Sequence, residues 1–162
     1  MIARIIVSLP RQSLTLLDDS GKEVDHYLVS TSKNGAGELN GSYCTPRGLH
    51  VIRAKIGEGQ PANTVFVDRR PTGEIYTPEL GKRYPGRDWI LTRILWLSGC
   101  EVGFNRLGKV DTMRRYIYIH GSPDSAKMGQ PGSIGCIRMH NVDLLILFNG
   151  VAVGTPVEIR ER

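Results

Sequence analysis

The sequence predicts a mainly β fold, a sandwich or partly closed barrel with one short C-terminal helix. Three observations predict it. The apolar stretches are mostly short and rich in β-branched and aromatic residues, as strands are. Nineteen glycines and nine prolines exceed the roughly 12% of residues usual for the two together, which implies many turns. Only one segment, near the C-terminus, carries helix signals.

Residues 2–9, 13–17 and 23–30 read as strands, the last two joined by a turn at Asp18-Asp19-Ser20-Gly21. Residues 32–37 form a loop, and Thr45-Pro46-Arg47-Gly48 is a turn feeding a strand over 49–56. Residues 64–68 and 89–97 are further strands. The Pro- and Gly-bearing stretch 70–88 between them is too long for a mere connector, and loops of that size are often functional covers. Residues 114–120 alternate, with Ile117 and Ile119 on one side and Tyr116, Tyr118 and His120 on the other. That pattern buries the isoleucines and leaves His120 at a strand end on an accessible aromatic surface. Residues 142–148 form the helix, with Asn141 as N-cap, Asp143 in the first turn and Gly150 just past its end. Residues 155–159 close the chain as a strand.

The 162 residues suit a single domain spanning 1–162. Hydrophobic content of 40% and charged content of 23% are globular and argue against extensive disorder. A net charge of +5 favours acidic partners but is too diffuse to indicate nucleic acid, and none is expected. The longest aliphatic or aromatic run, residues 144–148, falls far short of the ~18 residues a membrane span needs. The N-terminal apolar stretch is broken by Arg4 and ended by Pro10 and Arg11, so it reads as a strand and not as a secretory signal. A cytoplasmic, monomeric protein is expected, or a periplasmic one if a leader has been removed. Three cysteines (Cys44, Cys100 and Cys136) with no C-x-x-C support neither a disulfide framework nor a zinc ribbon. No cofactor is expected.

The chemistry concentrates in His120-Gly121 and Ser133-Ile134-Gly135-Cys136-Ile137-Arg138-Met139. A thiol with a pKa of about 8.5 is mostly protonated at neutral pH, and a neighbouring imidazole that takes its proton makes the nucleophile. His120 lies sixteen positions before Cys136, with Gly and Pro between them to turn the chain back. A return to the adjacent strand brings the two together as an ion pair. Gly135 permits an otherwise strained backbone and close approach of a substrate, and amides there can face a developing oxyanion. Arg138, two residues on, suits a bidentate grip on a carboxylate.

Plainer readings stand beside these. Cys136 can be a small buried residue, and Cys44 and Cys100 read as core or inert surface thiols. His26 and His50 lie on strands as half-exposed residues, with His50 the rival base. His140 forms Cys136-x-x-x-His140, which with His120 mimics a zinc site. Asp111 and Asp124 are candidate orienters of His120, and Tyr116 or Tyr118 can line a groove.

In these residues the chain resembles the L,D-transpeptidase (YkuD-like) catalytic domain family. The family's mark is His-Gly, about fifteen residues, then Ser/Thr-x-Gly-Cys followed by an apolar residue and Arg or Asn. Thr45-Pro46-Arg47-Gly48, Asn141-x-Asp143 with Leu147-Phe148, and Gly154-Thr155-Pro156-Val157 extend the likeness to most of the chain. The resemblance implies a β-sandwich-like fold with Cys136 as nucleophile and His120 as general base, oriented by the Gly121 carbonyl. It implies that Ser133 supports the site and that the Gly135 and Cys136 amides form the oxyanion hole; the residues' own chemistry adds Arg138 and Tyr118 as substrate contacts. The substrate it implies is a peptidoglycan-derived tetrapeptide, attacked at the third, diamino-acid residue with loss of terminal D-alanine. The acyl group then passes to water or to an amine, and carbapenems acylate the same cysteine. Ile134 and Arg138 stand where a common form of the motif has His and Asn. Lack of a visible leader favours release to water, L,D-carboxypeptidase activity on recycled muropeptides, over cross-linking. A non-catalytic module gripping anionic peptide ends through Arg138 is the reading from another class.

Overall fold

The structure, a computed structural model, describes residues 2–162. Its elements are β1 (Arg4–Ser8), β2 (Ser13–Leu17), β3 (Glu23–Leu28), β4 (Gly48–Ile56), β5 (Thr64–Val67), β6 (Arg70–Ile75), α1 (Pro78–Arg83), β7 (Ile90–Gly99), β8 (Tyr118–Gly121), β9 (Ile137–Met139), α2 (Asn141–Gly150) and β10 (Pro156–Arg160). A single 3-10 turn, Gly108–Val110, lies between β7 and β8.

All ten strands join one sheet that does not close on itself, in the order β3-β2-β1-β10-β4-β7-β5-β6. The chain's two ends meet where β1 pairs in parallel with β10, Ile5 opposite Val157 and Val7 opposite Ile159. β7 is the hub. Along one of its edges lie β4 and then β5, with Ile56 opposite Ile94 and Val65 opposite Leu91. Along the other edge lies β8, where the same Ile94 and Leu91 face His120 and Gly121. β9 adds to β8 in parallel. The pairing slips around Thr92, whose φ of 75° is rare for a β-branched residue and marks a bulge.

Period-two alternation sends Ile5, Val7, Leu14, Leu16, Leu95, Leu97, Ile119 and Ile137 into one core, closed by Leu144, Leu147 and Phe148 of α2. Those three side chains each contribute about 1.5–3 kcal/mol by burial. They outweigh the absent N-cap, worth ~1 kcal/mol. The cap position is His140, which makes no side-chain cap bond, and not Asn141 as expected. Asn141 is the first helical residue and turns its amide inward to other partners.

The expected strands are present, β2 with the expected bounds. Two differences bear on the site. The strand expected over 114–120 starts only at Tyr118, because residues 111–117 form turns and Tyr116 takes a φ of 57°. Residues 70–88 contain β6 and α1, so a second helix joins the expected one. α1 starts at a Thr77 cap whose Oγ1 accepts from Leu80 N at 3.1 Å, with Pro78 next and Glu79 in the first turn. Its Leu80, with Tyr76, packs on Val65, Trp89 and Leu91.

His50, expected to be half-exposed, is 1% exposed on β4. Its Nδ1 bonds Gly48 O at 3.0 Å and its Nε2 bonds Thr112 Oγ1 at 2.9 Å. Burial lowers its pKa to about 4. The unfolded chain therefore binds a proton that the folded one refuses between about pH 4 and the ordinary histidine value near 6.5. Its contribution is fully present above pH 6.5 and falls away as pH drops towards 4. Chemical denaturation of the wild type and His50→Gln across that window should show the variant's stability depending less steeply on pH, by up to ~1.4 kcal/mol per unit. Equal slopes would refute it.

Candidate active site

The parallel pairing of β8 with β9 sets Ile119 opposite Ile137 and His120 opposite Arg138. Cys136, one residue before β9, therefore lies beside Tyr118. Alternation puts Tyr118, His120, Cys136 and Arg138 on one face of the sheet. The opposite face carries Ile117, Ile119, Ile137 and Met139 into the main core. The sixteen-residue interval between His120 and Cys136 thus spans a loop that returns the chain to the neighbouring strand, as expected.

The imidazole is oriented by its own neighbour. His120 Nδ1 lies 2.6 Å from Gly121 O, and a ring nitrogen that close to a carbonyl must carry the proton. Nε2 then holds the lone pair. Neither Asp111 nor Asp124, the carboxylates considered as orienters, bonds the ring. Asp111 accepts the amides of Leu107 and Arg114, and Asp124 accepts from Asn141. Contrary to the expectation of an accessible aromatic surface, His120 is 1% exposed and Tyr118 is buried, because β8 is flanked by β7 and β9, Tyr118 packs with Phe66 and Ile94, and Ile94 stands opposite His120. That burial lowers the His120 pKa below the ordinary histidine value.

Cys136 is partly exposed. Its Sγ accepts the Tyr118 amide at 3.3 Å and donates to Tyr116 O at 3.3 Å. No hydrogen bond joins it to the imidazole among the described residues. Burial of the sulfur pushes its pKa up to about 12. Both shifts favour the neutral forms over the expected ion pair, for one physical reason: desolvation penalises the thiolate and the imidazolium alike.

The turn before Cys136 is tightly tied. Ser133 Oγ donates to Cys136 O at 2.5 Å and accepts Gly135 N at 3.2 Å. Gly135 has a φ of 133°, and a Cβ there would press on Ile117 and the Cys44 carbonyl. Its carbonyl accepts Thr45 Oγ1 at 2.9 Å, and Thr45 Oγ1 also accepts the Ser32 amide. With the Ser133 amide bonded to Thr31 O and the Gly135 amide engaged by Ser133, the Ile134 and Cys136 amides are left without a partner in this turn among the described residues.

Below Gly121 lies a polar knot that the sequence reading did not foresee. Asn141 Oδ1 accepts Thr92 Oγ1 at 2.6 Å, and its Nδ2 donates to Ser122 O at 2.9 Å and Asn63 Oδ1 at 3.1 Å. Thr92 Oγ1 also accepts the Asn63 amide. A Cβ on Gly121 would fall 2.2 Å from Asn141 Oδ1 and 2.6 Å from Leu91 O. Glycine is what lets the segment behind His120 sit on this knot.

A cavity of about 340 Å³ opens beside Cys136, lined among others by Tyr118, Phe66, Arg69, Tyr116 and Arg115. Tyr118, although buried, and Tyr116 both line this cavity. Arg138 instead opens on a smaller depression of about 170 Å³ with Arg87, Asp88 and Trp89. Its guanidinium already bonds Asp88 at 3.1 Å and Gly132 O at 3.1 Å. Cys44 and Cys100 stand outside the cavity lining, and His26 is exposed on β3. Among the described residues no three His, Cys, Asp or Glu side chains gather as a metal site would require, and His140 serves as the helix-cap residue. Among the described residues no helix is long and apolar enough to cross a membrane.

The model of the L,D-transpeptidase catalytic domain family (YkuD) matches residues 2–159. The putative L,D-transpeptidase YkuD of Bacillus subtilis (strain 168) is 33% identical over 94 residues, covering 58% of this chain and 47% of that protein. An L,D-transpeptidase from Mycobacterium smegmatis superposes with a TM-score of 0.56 at 19% identity, covering 96% of this chain and 57% of that one. L,D-transpeptidase 3 from Mycobacterium tuberculosis, in complex with a faropenem-derived adduct, gives 0.58 at 18% identity, covering 97% and 59%. The chain thus spans about half the length of the relatives it matches.

Replacing Asn141 with Ala leaves the Thr92 hydroxyl and the Ser122 carbonyl without their partners. Urea titration should show a loss of about 1–3 kcal/mol. An unchanged midpoint would show that the knot carries no stability.

Proposed function

As the chain belongs to the L,D-transpeptidase catalytic domain family, we propose that Cys136 is its acyl-accepting nucleophile and that peptidoglycan stem tetrapeptides are its donors. The observation that carries this reading is the Nδ1–Gly121 bond, which leaves the Nε2 lone pair of His120 on the same sheet face as the Cys136 sulfur.

The thiol proton, held by Tyr116 O in the free protein, passes to His120 Nε2 as the sulfur bonds the carbonyl carbon of the diamino-acid residue. Negative charge grows on the carbonyl oxygen. The unpartnered Cys136 amide and the Tyr118 amide, already aimed at the sulfur, are the donors placed to receive it. The Gly135 amide, engaged by Ser133, serves the turn. Collapse breaks the peptide bond, and Nε2 returns its proton to the leaving amine of D-alanine. Proton transfer inside a neutral pair avoids stabilising two poorly solvated charges before substrate arrives.

The acyl-enzyme then yields to water or to an amine. Hydrolysis to the tripeptide is the outcome expected of a protein that meets soluble muropeptides in the cytoplasm, and cross-linking of one that meets the wall. Both share the first half. Incubation with a disaccharide tetrapeptide and mass analysis separates them, giving tripeptide alone or dimers and exchanged D-amino acids. One carbapenem adduct per chain, lost in Cys136→Ala, is also expected. Absence of both turnover and adduct would sink the proposal. Replacing His120 with Gln should slow turnover about 10²- to 10⁴-fold.

The neutral pair has its own signature. At pH 7 the wild type should show no thiolate ultraviolet absorbance beyond that of Cys136→Ala, since the thiol is pushed up to about 12. Activity requires neutral His120, so kcat/KM is lost as pH falls through a pKa lowered by burial, with a midpoint below 6.5. Excess thiolate absorbance would restore the ion pair.

A further inference from the structure

We propose that Arg69, at the tip of the β5–β6 hairpin, binds a carboxylate of the acyl-donor peptide in the cavity beside Cys136. The inference rests on the acyl-transfer reading above and adds a residue that recognises the donor.

The hairpin turns in two residues. Val67 pairs with Arg70, while Asp68 and Arg69 take φ of 50° and 63°. Positive φ at both central positions is the primed turn that favours Asn-Gly or Asp-Gly. An arginine in the second position is strained by its Cβ. Glycine would relieve that strain, so the side chain must offer something in return.

What it offers is a guanidinium fixed in place. Its carbon lies 5.0 Å from the Trp96 ring centre and 4.6 Å from that of Tyr116, and Nη1 donates to Tyr118 Oη at 3.0 Å. All three rings flank the sheet face that carries Cys136, and Arg69, Tyr116, Tyr118 and Cys136 line the same cavity of about 340 Å³. The aromatic contacts hold the charge without cancelling it.

The other ordered arginines near the site are already engaged. Arg138 pairs with Asp88, and Arg87 pairs with Glu74. Arg115 spends its donors on Gly37 O and Cys44 O. Among the described residues Arg69 makes no ion pair, not even with neighbouring Asp68, and its Nε and Nη2 donate to nothing. A planar cation with a free donor edge, immobilised in advance beside a nucleophile, is what a carboxylate binds well. A stem peptide offers two sources of that group, its C-terminus and its interior acidic side groups.

The test compares wild type, Arg69→Gln and Arg69→Lys on three tetrapeptides: unmodified, C-terminally amidated, and amidated at the interior carboxylates. Arg69→Gln should lower kcat/KM about 10- to 100-fold on the unmodified peptide, the factor a charge-assisted bond is worth. It should have less than a twofold effect on whichever amidated peptide lacks the recognised group, which identifies the source. Arg69→Lys should recover part of the loss. Binding of the same peptides to Cys136→Ala and to Cys136→Ala/Arg69→Gln should show the same factor in Kd. Alkylation of Cys136 by neutral iodoacetamide should stay within twofold, as Arg69 is not among the charges that shift this thiol. Equal losses on all three peptides, slowed alkylation or no loss at all would overturn the inference. Turnover that ignores Arg69 leaves the acyl-transfer reading standing. Arg69-dependent binding without turnover does the reverse, and a peptide that neither binds nor reacts sinks both.

Discussion

The site depends on β8 being paired on both edges. β7 fixes its height in the sheet through Ile94 opposite His120, and β9 fixes what lies beside it through Ile119 opposite Ile137. A slip of one residue in either ladder would turn His120 into the aliphatic core and Ile119 out of it. The buried isoleucines therefore hold the chemistry in register. Each costs about 1.5–3 kcal/mol to expose, more than any single polar contact at the site supplies.

Around that strand the polar groups are arranged as supports. Ser133 and Thr45 hold the turn that presents Cys136, one from within it and one from a loop ninety residues earlier in the chain. Asn141 and Thr92 brace the segment behind His120, at a bulge where the β7–β8 ladder is interrupted. The strained Thr92 is thus part of the bracing. The outcome is a thiol and an imidazole on one sheet face, both aimed by backbone groups and both shifted by desolvation towards their neutral forms.

Much of this was legible in the chain. Cys136, His120 and Gly121 stood out because residue type, order and interval together suit a return to an adjacent strand, and the parallel β8–β9 pair is that return. Alternation marked Ile117 and Ile119 for the core correctly. It misjudged the other face, since alternation says which residues share a side and nothing of what covers it. Phe66 and Ile94, from strands distant in sequence, pack on Tyr118, and Ile94 stands opposite His120. Helix α1 was readable in Thr77-Pro78-Glu79 but was masked by the prolines and glycines around it. Asn141 was assigned to its own helix as a cap because local spacing favours that role, whereas a threonine on β7 and a carbonyl after β8 offered its amide better bonds.

The sequence by itself determined the mainly β character, the apolar faces and the placing of His120 and Cys136 on adjacent strands, because these follow from local periodicity and from residue type, order and interval. Only the tertiary structure decided the solvent exclusion that shifts both groups towards neutrality, the engagement of Arg138 by Asp88 and the freedom of Arg69. Those properties depend on solvent exclusion and on partners far apart in the chain, and no local pattern of residues encodes either.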